Sequence, residues 1–290
     1  MSIYRLDKFL ADMGVGTRNE VKKIIKSGRV KISKLQGSAG DAPFLDVPTP
    51  GPDFKVNAET DKVYFDGKLL EYTEYEYYLL NKPMGVVSAT EDKTHTTVVD
   101  LIKDKKRKDL FPVGRLDKDT EGLLIITNDG GFAHNVLAPG KHVDKTYFAV
   151  IDGKTEDTDV RAFKEGVDIG TKEEPELCES AGLKVLGFYD ANEYIKMYND
   201  KKTDSDFFYQ KREGLDEYLI SKSGYFSDVL VTIHEGKYHQ VKRMFEKVGK
   251  SVIYLKRISF GVLDLPGNLK AGEYEKMSQA LIELAGGGGK

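Results

Sequence analysis

From Phe111 to Leu137 the chain reads FPVGRLDKDTEGLLIITNDGGFAHNVL, and this stretch constrains the fold more than any other. The run GLLIIT, Gly122 to Thr127, has the length and branched apolar content of a buried strand. Gly114 and Gly122 bracket a polar turn before it, and Asn128-Asp129-Gly130-Gly131 turns the chain into a helix after it. A strand so flanked must lie inside a sheet while its loops stay exposed. Polar residues in such loops sit where catalytic groups are commonly held by a rigid scaffold, which makes Asp117 the first candidate for chemistry.

Composition narrows the class. The 290 residues suffice for one large domain or two smaller ones. No apolar run approaches the roughly 20 residues of a membrane helix, and the N-terminus has no apolar signal core, so a cytoplasmic protein without membrane attachment is expected. Cys178 is the single cysteine, which rules out an intrachain disulfide and a thiolate cluster and reads as a small buried side chain. The formal charge of −3, from 44 Lys+Arg against 47 Asp+Glu, argues by itself against a nucleic-acid partner. Segment counts alter that inference. Met1 to Lys31 carries eight Lys+Arg against three acids, Asp41 to Glu76 nine acids against three lysines, and Lys237 to Arg257 seven Lys+Arg against Glu246 alone. Two basic islands therefore sit in an acidic background.

The first island has a recognisable form. Leu6, Phe9, Leu10 and Met13 recur at helical spacing and stop at Gly14 and Gly16. Thr17 with Glu20 forms a capping box for a second helix with Val21, Ile24 and Ile25 as its apolar stripe, and a strand follows at Arg29 to Ile32. Arg18, Lys22, Lys26 and Arg29 stay off that stripe, and with Arg5 they suit an RNA backbone. The string YRLDKFLADMGVGTRNEVKKIIKSGRVKI resembles the S4-type RNA-binding domain. We place that module at residues 1–72 and read residues 35–60, rich in Gly, Pro and Asp, as a loop insertion.

Three chemistries compete for Asp117. It is an Asp satisfying turn amides, or the nucleophile of a D-x-D-x-T phosphoryl-transfer motif (Asp117, Asp119, Thr120), or the carboxylate of a different motif. In the D-x-D-x-T phosphatases, however, the first Asp follows a hydrophobic strand, whereas here the strong strand comes afterwards. The third reading is the one adopted. GRLDKDTEGLLIITNDG resembles the catalytic motif of pseudouridine synthases, in the branch that modifies ribosomal RNA, and YYLLNKPMGVVSA, KTYFAV and EGKYHQVKRMFEKVG resemble its other motifs in the expected order. The match spans Tyr77 to Gly170 and Val229 to Leu281.

The resemblance implies isomerisation of a uridine in ribosomal RNA, without cofactor or metal, by breaking the N1–C1′ bond and rejoining the base through C5. Asp117 would attack C1′ or remove the 2′ proton. Lys242 would pair with it, because a carboxylate in a water-poor pocket needs a nearby cation to stay ionised, and Tyr147 would stack on the target base. Arg115 would brace the space vacated by the flipped base; its alternative is a turn salt bridge with Asp119 or Glu121. His239, Gln240 and Arg243 are expected on the RNA side, with His234 and His239 flanking a hairpin. YHQVKRMF points to the small-subunit branch, with a large-subunit enzyme or a non-catalytic ribosome-assembly factor as alternatives.

Two near-motifs fail. Gly249-Lys250-Ser251 lacks the earlier glycine of a phosphate loop, where Met244 stands, and His234-Glu235 meets its second histidine one position late for a zinc protease. The expected fold class is α+β. The S4-like αα-β module precedes a catalytic domain at 73–284 with a mixed, mainly antiparallel sheet, an exposed insertion at 187–227 and a flexible tail at 285–290. The expected partner is ribosomal RNA or a pre-ribosomal particle, met by a monomer.

Overall fold

The computed structural model describes residues 2–35, 44–48, 50–138, 143–201 and 224–287. The chain divides into two units, one of Met1–Glu76 with Lys103–Leu110 and the other of Tyr77–Ile102 with Phe111–Lys290.

In the first unit, helix α1 (Leu6–Asp12) buries Leu6, Phe9 and Leu10, the spacing that marks one helical face. Helix α2 (Arg18–Lys26) starts at the Thr17–Glu20 capping box, as the sequence predicts, and buries Val21 and Ile25. They pack with Val30, Ile32, Val56 and Val63 into one core, in which each large side chain contributes about 1.5–3 kcal/mol. Strand β1 (Ile3–Arg5) precedes α1. After α2 come β2 (Val30–Leu35), β3 (Phe44–Asp46), β4 (Lys55–Asn57), β5 (Lys62–Phe65) and β6 (Lys68–Leu70). Four of them form an antiparallel sheet in the order β3-β2-β5-β6, and β1 pairs separately with β4. Asp66 and Gly67, both with positive φ, make the two-residue turn between β5 and β6.

The expected loop insertion at 35–60 is corrected, since β3 and β4 lie within it and pair with β2 and β1; residues 36–43 and 49 lie outside the described residues. Lys103–Leu110 returns to this unit with no signal in its polar sequence. The Glu76 carboxylate accepts from the backbone N–H groups of Lys106 and Arg107, at 3.0 and 2.8 Å. The Arg107 guanidinium lies 3.3 Å from Asp12 and 2.6 Å from Asp109.

The second unit is built on a nine-stranded sheet whose main path runs β11-β12-β10-β13-β9-β7-β15. The strands are β7 (Tyr77–Lys82), β8 (Phe111–Val113), β9 (Glu121–Thr127), β10 (Lys145–Asp152), β11 (Gly182–Asp190), β12 (Tyr225–Ile233), β13 (Ser251–Phe260), β14 (Leu263–Asp264) and β15 (Tyr274–Lys276). The helices are α3 (Gly130–Leu137), α4 (Asp157–Glu165), α5 (Ala191–Lys201), α6 (Gln240–Lys247) and α7 (Gln279–Gly286). The sheet is mixed and mostly antiparallel, with one parallel pair, β13 on β9 at Lys256↔Glu121 and Arg257↔Gly122. That pairing explains Gly122. At φ +106°, a Cβ there would stand 2.2 Å from the Arg257 carbonyl oxygen, so only glycine lets the strands meet. Leu79, Leu123 and Ile125 face a core closed by Phe132 and Val136 of α3 and by residues of α7. Phe148, Phe226 and Tyr254 form a second core with Tyr194 of α5.

Two more boundaries change. The expected insertion at 187–227 is framed by regular structure, because β11 runs on to Asp190, α5 follows and β12 begins at Tyr225; residues 202–223 lie outside the described residues. The expected flexible tail begins inside α7, where Ala285 packs on the core, while residues 288–290 lie outside the description. Among the described residues, no helix is long and apolar enough to cross a membrane. Cys178 is buried, and burial pushes its thiol up to about 11.

Candidate active site

Asp117 lies on the loop between β8 and β9, which the segment after β7 holds in place. The Ser88 hydroxyl donates to the Leu116 carbonyl at 2.7 Å and accepts the Leu116 N–H at 3.0 Å. Gly85 N–H donates to the Lys118 carbonyl at 2.8 Å. From beneath, the ammonium of Lys82 (0% exposed) donates to the carbonyls of Thr120 at 2.8 Å, Pro83 at 3.0 Å and Lys118 at 3.3 Å. Burial lowers the Lys82 amine to about 8, against the opposing fields of Glu121, Asp119 and Asp117. Sequence reasoning missed Lys82 and Ser88, although a lysine closing the buried run YYLLN was a usable signal.

The loop faces a cleft of about 1220 Å³ lined by Asp117, Tyr147, Lys242, His239, Arg115 and Arg257, among others. The Lys242 ammonium stands 3.4 Å from Asp117 Oδ2 and 2.6 Å from Asp119 Oδ1. His239 Nε2 lies 3.6 Å from the other Asp117 oxygen, Oδ1. Burial raises the Asp119 carboxyl, but the hydrogen bond and charge of Lys242 outweigh it and hold the group below its ordinary range. Tyr147, 7% exposed on β10, stands opposite Val231 of β12 and Arg257 of β13. Between the partners of Thr146 and Tyr147, β13 carries one extra residue, Ile258, a bulge of the kind that re-aims side chains beside active sites. Arg257 is buried, with Nε donating to the Leu123 carbonyl at 2.8 Å. Burial, then the Arg257 charge, lowers the Lys145 amine on the same wall. Arg115 is exposed and makes no ion pair among the described residues, so the turn salt bridge considered for it is absent.

Three expected RNA-facing residues are used differently. Gln240 is 4% exposed, and its amide donates to Glu235 at 2.7 Å and accepts Lys237 N–H at 3.0 Å, so it braces the loop ahead of α6 from inside. Arg243 is engaged within the protein as well, donating to the Ile169 carbonyl and the Glu176 carboxylate, each at 2.7 Å. His234 and His239 bound a strand-to-helix loop, not a hairpin, and His234 contacts Asp144 at 2.6 Å.

The second basic island also contracts. Lys256 and Arg257 lie in the sheet, and Lys250 pairs with Asp159 at 2.9 Å. In the first unit, Arg18, Lys22 and Lys26 are exposed on α2 and make no ion pair among the described residues. Arg5 forks onto Asp7, and Arg29 onto Asp66. Among the described residues no cluster of His, Cys, Asp and Glu is arranged to hold a metal ion.

Comparison with known proteins identifies the family. Residues 76–247 match the family model for RNA pseudouridylate synthase and residues 5–34 that of the S4 domain. An uncharacterized RNA pseudouridine synthase of Bacillus subtilis (strain 168) is 37% identical, covering 97% of each chain. A ribosomal small subunit pseudouridine synthase A of Vibrio cholerae is 32% identical over 95% of this chain and 96% of its own. A ribosomal large subunit pseudouridine synthase B of Bacillus subtilis is 33% identical over 91% and 88%. A crystal structure of a pseudouridylate synthase superposes with a TM-score of 0.56 at 30% identity, covering 97% of this chain and 99% of that one.

Proposed function

Because the chain belongs to the RNA pseudouridylate synthase family and carries an S4 domain ahead of the catalytic fold, we propose that it isomerises a uridine of ribosomal RNA, in the small subunit, to pseudouridine. The observation that carries this reading is the Asp117 carboxylate set between Lys242 and His239 in a cleft walled by Tyr147. The reaction breaks N1–C1′, forms C5–C1′, moves the C5 proton to solvent and returns one to N1, so nothing is consumed. Asp117 is the group that attacks C1′ or takes the 2′ proton. Lys242 spans Asp117 and Asp119 and fixes the turn in the direction of the substrate. Tyr147 offers its ring to the base. Extruding the uridine from its stack costs a few kcal/mol, and the guanidinium of Arg115 at the cleft, which makes no ion pair among the described residues, is the group to brace the gap.

The string YHQVKRMF and the small-subunit name of the Vibrio cholerae relative support the choice of subunit, while the large-subunit relative supports the other. Incubation with unmodified small-subunit and large-subunit ribosomal RNA, followed by mapping of carbodiimide-resistant uridines, separates the two. One new site in the small-subunit RNA, absent with Asp117→Asn, is expected. No new pseudouridine in either RNA would sink the enzymatic reading. We assign the activity to a monomer in the cytoplasm, and sedimentation of the pure protein tests the first of these.

A further inference from the structure

Tyr238 is an anomaly on the cleft rim. It lies on the loop between β12 and α6, lines the cleft, and is 74% exposed. A singly exposed aromatic ring needs no explanation on a mobile surface, but this loop is held from several sides. Glu235 accepts from Lys237 Nζ at 2.5 Å and from Gln240 Nε2 at 2.7 Å, and its carboxylate also takes the Glu179 N–H at 2.9 Å. The Tyr238 carbonyl itself accepts from Arg243 at 3.1 Å. The next residue, His239, is one of two non-glycine residues with positive φ among those described, at φ 48° and ψ 34°. Such a backbone is unfavourable for a residue with a side chain and persists where the surroundings fix it. Its consequence here is geometric. The imidazole turns toward Asp117, 3.6 Å away, and the Tyr238 ring stacks flat on it, with centroids 3.8 Å apart and planes 18° from parallel. Each step of the series Asp117, His239, Tyr238 moves outward from the reacting carboxylate.

We propose that the Tyr238 ring is a stacking subsite for an unpaired nucleobase adjacent in sequence to the target uridine. This deepens the reading of Asp117 as the carboxylate that acts on a flipped uridine, and rests on it. When a uridine leaves its stack, its neighbour loses a stacking partner. A preplaced aromatic ring on the rim replaces that partner at no ordering cost, because the loop is already fixed. Stacking needs a π-face and not a particular base edge, so the subsite favours an unpaired neighbour without reading its identity. Two rings already in contact, with the outer one free to solvent, form a short stack that a base extends.

The chain contains no tryptophan, which makes the test direct. Y238W places the sole indole at the subsite, and in the D117N background it reports binding without turnover. Addition of in-vitro-transcribed small-subunit ribosomal RNA is expected to quench that fluorescence saturably. In the otherwise wild-type chain, Y238A is expected to lower kcat/KM by about 10-fold or more, from the ~1–3 kcal/mol of one base–aromatic stack, mainly through KM. Y238F keeps the ring and is expected to restore most of the loss. Unquenched indole with RNA bound, Y238A equal to wild type, or Y238F as impaired as Y238A would each overturn the proposal. The underlying reading fails separately, as absence of new pseudouridine with the unaltered chain.

Discussion

At the residue scale, the site depends on two lysines that composition alone would count as equivalent. Lys242 faces the cleft and touches both Asp117 and Asp119, whereas Lys82 is sealed beneath the loop and donates its hydrogen bonds to backbone carbonyls. Lys242→Met is expected to lower kcat by about 100-fold, the scale of losing one preorganised polar contact at a reacting centre, with little change in melting temperature because Asp119 is largely exposed. Steady-state kinetics beside a thermal melt check both parts. Lys82 gives a prediction of opposite character. Burial lowers its amine from the ordinary 10.5 to about 8, so between these pH values the unfolded chain holds a proton that the folded chain has released. The fold therefore carries a penalty for the buried charge below pH 8, and that penalty is relieved as pH rises toward 10.5. Relative to Lys82→Met, the wild-type chain is expected to gain unfolding free energy between pH 7 and about pH 9.5, by order 1 kcal/mol or more. Urea unfolding at the two pH values reads the difference; a constant gap would refute it. In the sequence, the convergence of Asp117, Tyr147 and Lys242 on one cleft was legible through motif order. The separate duties of Lys82, Gln240 and Arg243 were not, because burial and partner choice depend on segments far away in the chain.

At the element scale, the parallel contact of β13 with β9 fixes where the loop bearing Asp117 emerges. Gly122→Ala sets a methyl group against the Arg257 backbone, which cannot move without parting the two strands. A loss of about 3 kcal/mol or more is expected, together with loss of activity, measured by chemical denaturation and by pseudouridine formation. The helices and strands themselves could be read from local pattern. The capping box at Thr17, the turn at Gly130 and the strand from Gly122 are each set by neighbours within a few residues. The short strands β3 and β4 escaped because they pair with β2 and β1, and Gly- and Pro-rich sequence gives no periodicity to announce that.

At the scale of the whole molecule, near-neutral charge proves compatible with an RNA partner, although the two basic islands are unequal. The one around α6 is largely occupied within the protein, while Arg18, Lys22 and Lys26 on α2 remain exposed. If these touch phosphate, the double variant Lys22→Gln with Lys26→Gln flattens the slope of log affinity against log salt by roughly 1.5. A filter-binding series in increasing salt measures it, and an unchanged slope would take α2 out of the RNA path. Charge removal is a better experiment than cutting the chain near Glu71, since that cut would leave Lys103–Leu110 without the unit to which it belongs.

The return of Lys103–Leu110 to the first unit also sets an order of assembly on the ribosome. An N-terminal module encoded as one continuous block could close as soon as its last strand left the exit tunnel. Here the first unit has all its residues outside the tunnel only once Leu110 has left it, and Tyr77–Ile102 leaves the tunnel ahead of all of Phe111–Lys290. β7 is thus a strand without its neighbour β9 during that interval, and the Asp117 loop is synthesised only after the first unit has all its residues. All residues of the first unit therefore leave the tunnel before the turn that carries Asp117.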